Sequence, residues 1–354
     1  MALSKIQTIE NQVIPDLGHR NLIINGAHNI NQRQMTGALD GDNIPITVTT
    51  AAAYRTVDRW KSDIDGSHGH DFSLAQSDDA PDGFTRSSKA TVVTSGAKPS
   101  TSAMHQIYTL LEKRDVEQLK WGTSEAKTAM FSFYVKSSVT GNHGLRFFHY
   151  NSDSSTSVYY TYYTINVANT WERKSITITG PTTGGIEPLD YEQAWGVEFL
   201  LGAAADTESG SGNAAWSGGS FPSGLVYLPA TAGATWFVTG CQFEEGTIAT
   251  PFEHIQPSTE LIRCNRYFYR PSRVTTNTDH ATHGYGLIHS SRYSTDASRV
   301  HIGYPVQMRI DPNLTYSQAG GVVDADQGGS HRANLQDSDD SGFYVYNFRA
   351  DAEL

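Results

Sequence analysis

The chain has 354 residues, 32 of them glycine, with 38% hydrophobic and 11% aromatic residues and a formal net charge of −11. That apolar content supports a buried core, and the length fits one large all-β unit plus a smaller one. An acidic balance with no basic run excludes a phosphate-tracking nucleic-acid binder, and no stretch approaches the roughly 20 apolar residues that span a bilayer, so no membrane insertion is expected.

Residues 1–20 carry Ile6, Ile9, Val13, Ile14 and Leu17 in a weakly amphipathic segment too short to fold alone. It is too polar for an export signal, and the expectation is an attachment segment that orders against a partner through Ile6, Ile9, Val13 and Ile14.

From residue 21 to 256 the pattern is that of an antiparallel β-sandwich. Thr128 to Ser137, Leu145 to Tyr150, Val158 to Val167, Lys174 to Thr179 and Trp236 to Phe243 alternate between two faces. Gly, Asn, Ser and Asp clusters separate them, as in Val139–Gly144 and Gly180–Gly185. Trp60, Trp171, Trp195 and Trp236 sit in strand-like motifs and are expected in the core, and the sandwich closes with a strand from Gln242 to Glu253. After Pro257, Leu261, Ile262 and Asn265 recur at helical spacing, which predicts a short linking helix over Ser258–Tyr269 capped by Ser258 or Thr259. Residues 257–354 read as a small C-terminal β-domain with strands over Tyr304–Ile310 and Gly342–Phe348, where Pro305 and Pro312 favour strand ends. No heptad, collagen triplet or solenoid period occurs. Cys241 and Cys264, in apolar β-rich surroundings, read as two buried free thiols.

The chemistry-bearing clusters are sparse. Asp63, Asp65, His68 and His70 lie in one short loop-like stretch whose donors suit Ca²⁺ or a transition metal, but the spacing fails the EF-hand pattern, and a solvated loop is the preferred reading. No metal or other cofactor is expected. There is no G-x-S-x-G elbow, since Gly210-Ser211-Gly212 lies in a Gly/Ser loop, and sequence alone defines no pair of carboxylates facing each other across a groove. The chain therefore reads as a non-enzyme. Sugar binding fits better, because a flat aromatic ring beside side chains that hydrogen-bond in pairs meets the C–H face and hydroxyls of a pyranose. Tyr159-Tyr160-Thr161-Tyr162-Tyr163 places rings on both faces of one strand, one of which must be core. Tyr160 and Tyr162 with Trp216, Arg146 and His149 are the first candidates for a contact surface, with simple sheet packing and inter-subunit contact as the preferred reading.

Several motifs recur in one order: Asn21-Leu22-Ile23-Ile24-Asn25-Gly26, Tyr54 to Trp60, Met130 to Ser137, Trp171 to Ile178, Gly240 to Glu253, Glu260 to Tyr269 and Ala350 to Leu354. They resemble the "NLLING", "Y-x-A-D-R-W", "L-S-F-W-V-K-S", "W-x-x-x-x-x-T-I", "QLE-x-G-x-x-x-T-P-F-E", "C-Q-R-Y-Y" and terminal segments of a jelly-roll-like, carbohydrate-binding-module-like sandwich found in bacteriophage tail fibre and receptor-binding proteins. The resemblance runs from about Asn21 to the end. It implies a virion protein assembled in a bacterial cytoplasm, docked through its N-terminal segment on another phage tail or virion protein, forming a homotrimer that covers its sheet edges, and adhering to a host cell-surface glycan. A capsid decoration or head-fibre protein and a virion-borne glycan hydrolase are the alternatives.

Overall fold

The computed structural model describes residues 20–33, 45–49, 52–65, 69–101, 103–187, 189–208, 210, 216, 220–271, 288–289, 291–294, 297–320, 323–326, 329–337 and 343–354. The expected docking residues Ile6, Ile9, Val13 and Ile14 lie outside them. The fold is all-β, a jelly-roll-like antiparallel sandwich followed by a smaller C-terminal β unit.

The strands of the sandwich are β1 (Ile46–Val48), β2 (Ala53–Tyr54), β3 (Lys61–Asp65), β4 (Phe72–Ser77), β5 (Ser87–Val92), β6 (Met104–Glu112), β7 (Thr128–Ser137), β8 (Gly141–Tyr150), β9 (Thr156–Ile165), β10 (Glu172–Thr179), β11 (Gln193–Ala203) and β12 (Thr235–Glu245). The first sheet runs β1-β4-β5-β12-β7-β10 and the second β2-β3-β6-β11-β8-β9, six strands each. Period-2 alternation sends one side-chain set from each strand inward. Phe131, Phe133 and Val135 of β7 meet Leu145 and Phe147 of β8 and Trp195, Val197 and Phe199 of β11 in one core. Trp195 stacks on Phe243 at 4.0 Å between ring centroids. In β12 the register slips between Thr239 and Gln242, where Gly240 adopts φ 61°. That bulge changes the parity of the strand, so Val238 and Cys241 both face the core.

The Asn21–Gly26 motif forms a buried turn against this bulge. Asn21 donates from Nδ2 to the Cys241 carbonyl and accepts at Oδ1 from the Phe243 and Ile23 amides, while Asn25 donates to the Ile30 and Asp58 carbonyls. The segment read as one closing strand is strand only to Glu245. Gly246 (φ 131°) turns the chain, and residues to Glu253 fold back so that Glu244 accepts from the Thr250 amide and Gln242 from the Glu253 amide. Trp60, Trp195 and Trp236 are fully buried. Trp171 departs from expectation: it lies half-buried on the outer surface, its Nε1 donating to Asp79, because it precedes β10 and Lys136 covers its ring.

Two helices are α1 (Lys113–Val116) and α2 (Pro257–Asn265). In α2 the cap is Gln256 and Pro257 opens the first turn, so Ser258 and Thr259 are already helical and neither caps it. The helix ends at Asn265 and gives way to β13 (Phe268–Tyr269). The C-terminal unit adds β14 (Ile288–His289), β15 (Ser291–Ser294), β16 (Ala297–Gly303), β17 (Asn313–Gly320), β18 (Val323–Asp326), β19 (Arg332–Asp337) and β20 (Phe343–Asp351), in sheets ordered β13-β20-β14 with β17 on β20, and β15-β16-β19-β18. Their core includes Met308, Leu335, Val345 and Phe348. The expected strand over Tyr304–Ile310 is irregular. Pro305 offers no amide, and the amides of Tyr304, Met308 and Arg309 go to His331, Ser330 and Arg266, three partners that lie on no single strand.

Asp351–Leu354 tie the two cores together. The Glu353 carboxylate sits between Arg33 (2.7 Å) and Arg59, its side chain 4% exposed and that of Arg59 0%. Arg59 stacks at 3.5 Å over the Tyr267 ring and Arg33 at 3.7 Å over Phe268, and Arg59 also donates to the Leu110 carbonyl of β6. Glu353→Ala leaves the buried Arg59 without its carboxylate and Arg33 with only Asp351 at 3.3 Å, at an expected cost of about 3–5 kcal/mol, read as a large drop in melting temperature, whereas Lys120→Ala at an exposed pair leaves it within error.

Burial also holds the His28 imidazole, bonded to Ser88 Oγ at 2.7 Å and stacked on Trp60, down to about 3 from its ordinary 6.5. The stability it confers is complete above about pH 6.5 and is lost as pH falls toward 3. Urea unfolding of the wild type below pH 6.5 should weaken with a steeper acid slope than His28→Asn, by up to about 1.4 kcal/mol per pH unit; identical slopes would contradict this.

Candidate saccharide-binding face

The outer face of the second sheet carries one residue from each of its six strands in a single register row. Tyr54 of β2 pairs Lys61 of β3, Lys61 pairs Tyr108 of β6, Tyr108 pairs Glu198 of β11, Glu198 pairs Arg146 of β8, and Arg146 pairs Tyr160 of β9. The period of 2 that buries Ile107, Val197, Phe147 and Tyr159 puts this aromatic and charged row outside.

Arg146 donates to Glu198 Oε2 at 2.7 Å and to Gln106 Oε1 at 3.2 Å, with its guanidinium 4.5 Å from the centroid of Phe148. Glu198 is 1% exposed. Burial lifts its carboxyl above the usual range while the Arg146 charge pulls the other way. Glu198 Oε1 and Arg146 Nε have no hydrogen-bond partner among the described residues, which leaves unmet polar demand at the centre of the row. Gln106 donates to Asp63 at 3.0 Å, and Phe148 and Tyr150, half-buried on the same face of β8, stand 6.5 Å apart.

Both ends of the row are walled. Tyr54 Oη and Lys61 Nζ donate to the Leu354 carbonyl at 3.1 and 3.2 Å, so the last residues occupy that end. At the other, Phe221 packs edge-on against Tyr160 at 4.8 Å, within a small cluster with Leu200 and Leu225. Tyr108, Glu198 and Arg146 form the floor between, a flat ring that can stack on a sugar face beside a buried carboxylate that fixes the arginine.

The structure divides the five contact residues expected from the sequence. Arg146, Tyr160 and Tyr162 share the outer face, with Tyr162 42% exposed beyond the row. His149 and Trp216 stand on the opposite, core-facing side. His149 is three positions on from Arg146, an odd step that reverses the side-chain direction on a strand. His149 is buried and bonded to the Gly185 carbonyl at 2.7 Å. Trp216 closes the edge of the core against Trp121 (5.2 Å) and Tyr159 (5.5 Å), its Nε1 donating to the Thr179 carbonyl. Tyr108, Glu198, Phe148 and Tyr150 were missed. Glu198 had a readable signal, a lone carboxylate inside the apolar run Trp195–Leu201. At one end of the sandwich an open cleft of about 380 Å³ has Trp121 and Ile186 in its lining and Lys120 and Glu125 beside them.

Of the metal candidates, His68 lies outside the described residues. Asp63 is bonded to Gln106, Asp65 is exposed at the end of β3, and His70 shares a 2.8 Å bond with Tyr227 Oη. Among the described residues no group of three or more His, Cys, Asp or Glu could hold a metal ion. Cys241 and Cys264 are buried free thiols, and no described helix is long and apolar enough to cross a membrane.

No protein-family model matches the sequence, and comparison with curated proteins finds no match. Among solved structures the chain is similar to the enzymatically active domain of bacteriophage CBA120 tailspike protein 4, at 12% identity and TM-score 0.35, over 64% of this chain but 22% of that one. It is also similar to the C-terminal family 22 carbohydrate-binding module of Clostridium thermocellum Xyn10B (8% identity, TM-score 0.30, 63% of this chain and 98% of that one). A third is the family 11 module of the Clostridium thermocellum cellulase Lic26A-Cel5E (11%, 0.29, 57% and 100%). The chain thus spans about a fifth of the tailspike structure it matches, and likenesses of this strength carry no conclusion about function.

Trp216→Ala should uncap the core edge and lower stability by about 1–3 kcal/mol, less than a fully buried Trp because it is half-exposed, whereas Tyr162→Ala stays within about 0.5 kcal/mol, as chemical denaturation would show.

Proposed function

We propose that this chain is a non-enzymatic subunit of a bacteriophage tail appendage, a short tail fibre or receptor-binding protein, whose sandwich adheres to host surface glycan through the outer face of its second sheet. The observation that carries the ligand reading is the in-register row, with Tyr108, the Glu198–Arg146 pair and Tyr160 laid side by side between two walls. The motifs that carry the family resemblance touch the row only at its Tyr54 and Leu354 end, and Asn21, Asn25, Arg59, Gln242, Tyr267 and Glu353 serve the buried framework. The resemblance supports the scaffold and its virion context, and the row supports the ligand. A buried carboxylate already paired with arginine suits a fixed hydrogen-bonding role better than proton transfer. Docking through residues 1–20 and assembly as a homotrimer complete the reading, with several weak sites giving avidity.

The test is binding of the purified chain to polysaccharide fractions from the host envelope. Tyr108→Ala and Tyr160→Ala should each weaken binding about tenfold with folding intact by melting, in line with loss of one stacked ring. Undiminished binding by both variants would defeat the assignment to this face.

A further inference from the structure

The opposite outer surface, that of the first sheet, carries a second constellation that neither the framework nor the proposed glycan face uses. Lys89 of β5, Phe237 of β12 and Lys136 of β7 are register partners in one row. Their ammonium groups stand 5.4 and 4.3 Å from the centroid of the same Phe237 ring. Trp171 meets Phe237 edge-on at 6.0 Å, and Lys136 lies 5.2 Å from its indole. Asp79 accepts from both Lys136 and Trp171 Nε1, which neutralises one lysine and fixes the indole plane. Lys89 makes no ion pair within 4.0 Å among the described residues. The cluster therefore holds one uncompensated cation on a chain whose net charge is −11. The next row, Ser73, Thr91 and Thr235, is half-buried and offers three hydroxyl side chains beside it.

Lysine stems laid over aromatic rings shield apolar surface, and that alone accounts for Lys136, 9% exposed and held by Asp79. It does not account for a second ammonium directed at the same ring, which shares the single Asp79 carboxylate at longer range, beside a partly open indole. Those parts match a sugar acid: a cation for the carboxylate, an indole face for the ring carbons and hydroxyls for the hydroxyls.

We propose that the outer face of the first sheet is a second saccharide site, selective for a carboxylate-bearing sugar, with Lys89 binding the carboxylate, Trp171 stacking on the pyranose and Ser73, Thr91 and Thr235 bonding its hydroxyls. This site is independent of the row on the second sheet, where Arg146 is paired with Glu198 and Lys61 is tied to the Leu354 carbonyl. One chain then presents two saccharide surfaces of different charge preference on opposite sides of the sandwich.

Saturation-transfer NMR on the full chain tests it with glucuronate, galacturonate and N-acetylneuraminate, each as free acid and methyl ester. At least one free acid should bind in the millimolar range and its ester about tenfold more weakly, with the same loss in Lys89→Gln and with added salt. Trp171→Ala should remove binding, while Tyr108→Ala leaves the acid signal unchanged even if it abolishes binding at the other face. Lys89 is a surface side chain, so an unchanged melting temperature certifies the Lys89→Gln readout. Equal binding of acid and ester, no effect of Lys89→Gln, or no signal from any of the three acids would overturn the proposal.

Discussion

Glu353, four-hundredths exposed and gripped by two arginines from the other end of the chain, is the contact on which the arrangement of this molecule depends. A carboxylate in such a place is costly to desolvate and is kept only where its partners are fully committed. Here they are: Arg59 also bonds the Leu110 carbonyl and stacks on Tyr267, and Arg33 stacks on Phe268. One interaction thus joins the second sheet, the exit from α2 and the last residues. The Leu354 carbonyl then meets Tyr54 and Lys61, so the clamp also sets where the candidate glycan face stops. Scaffold and ligand surface are coupled through a few buried side chains.

The two outer faces show how one alternation rule produces different chemistry. Inward residues of both sheets are large and apolar, and core packing dictates them. Outward residues are freed from that demand, and they form an ion-paired aromatic row on one sheet and a lysine–aromatic cluster with a spare cation on the other. Strands carry the whole second-sheet row and most of the first-sheet cluster, with Trp171 just before β10 held by Asp79 and Phe237.

Much of the sandwich was legible because strands alternate strictly. The run Thr128–Ser137 was bounded correctly and β8 and β9 were found to within a few residues, whereas β6 and β11, the two central strands of the second sheet, were not picked out. Three kinds of information were not legible. Tertiary hydrogen bonds overrode pattern at Gln242–Glu253, where the side chains of the strand cap their own return, and at Tyr304–Ile310, where proline and scattered partners break pairing. The helix start moved to Pro257, capped at Gln256, because proline at the first helical position outweighed a serine or threonine cap. Most consequentially, the contact residues were grouped by composition rather than by parity: His149 cannot share a face with Arg146, and Trp216, in a loop that looked exposed, is drawn to the core edge by Trp121 and Tyr159. Arg59 read as part of a motif, but nothing local announced a partner 294 residues away.

The measurement that bears most directly on this account is a structure of the chain with an oligosaccharide purified from its host's envelope. The account predicts sugar density lying across Tyr108, the Glu198–Arg146 pair and Tyr160, bounded by Leu354 and Phe221. A bare second sheet, with the oligosaccharide seated instead in the cleft beside Trp121 and Ile186, would contradict it.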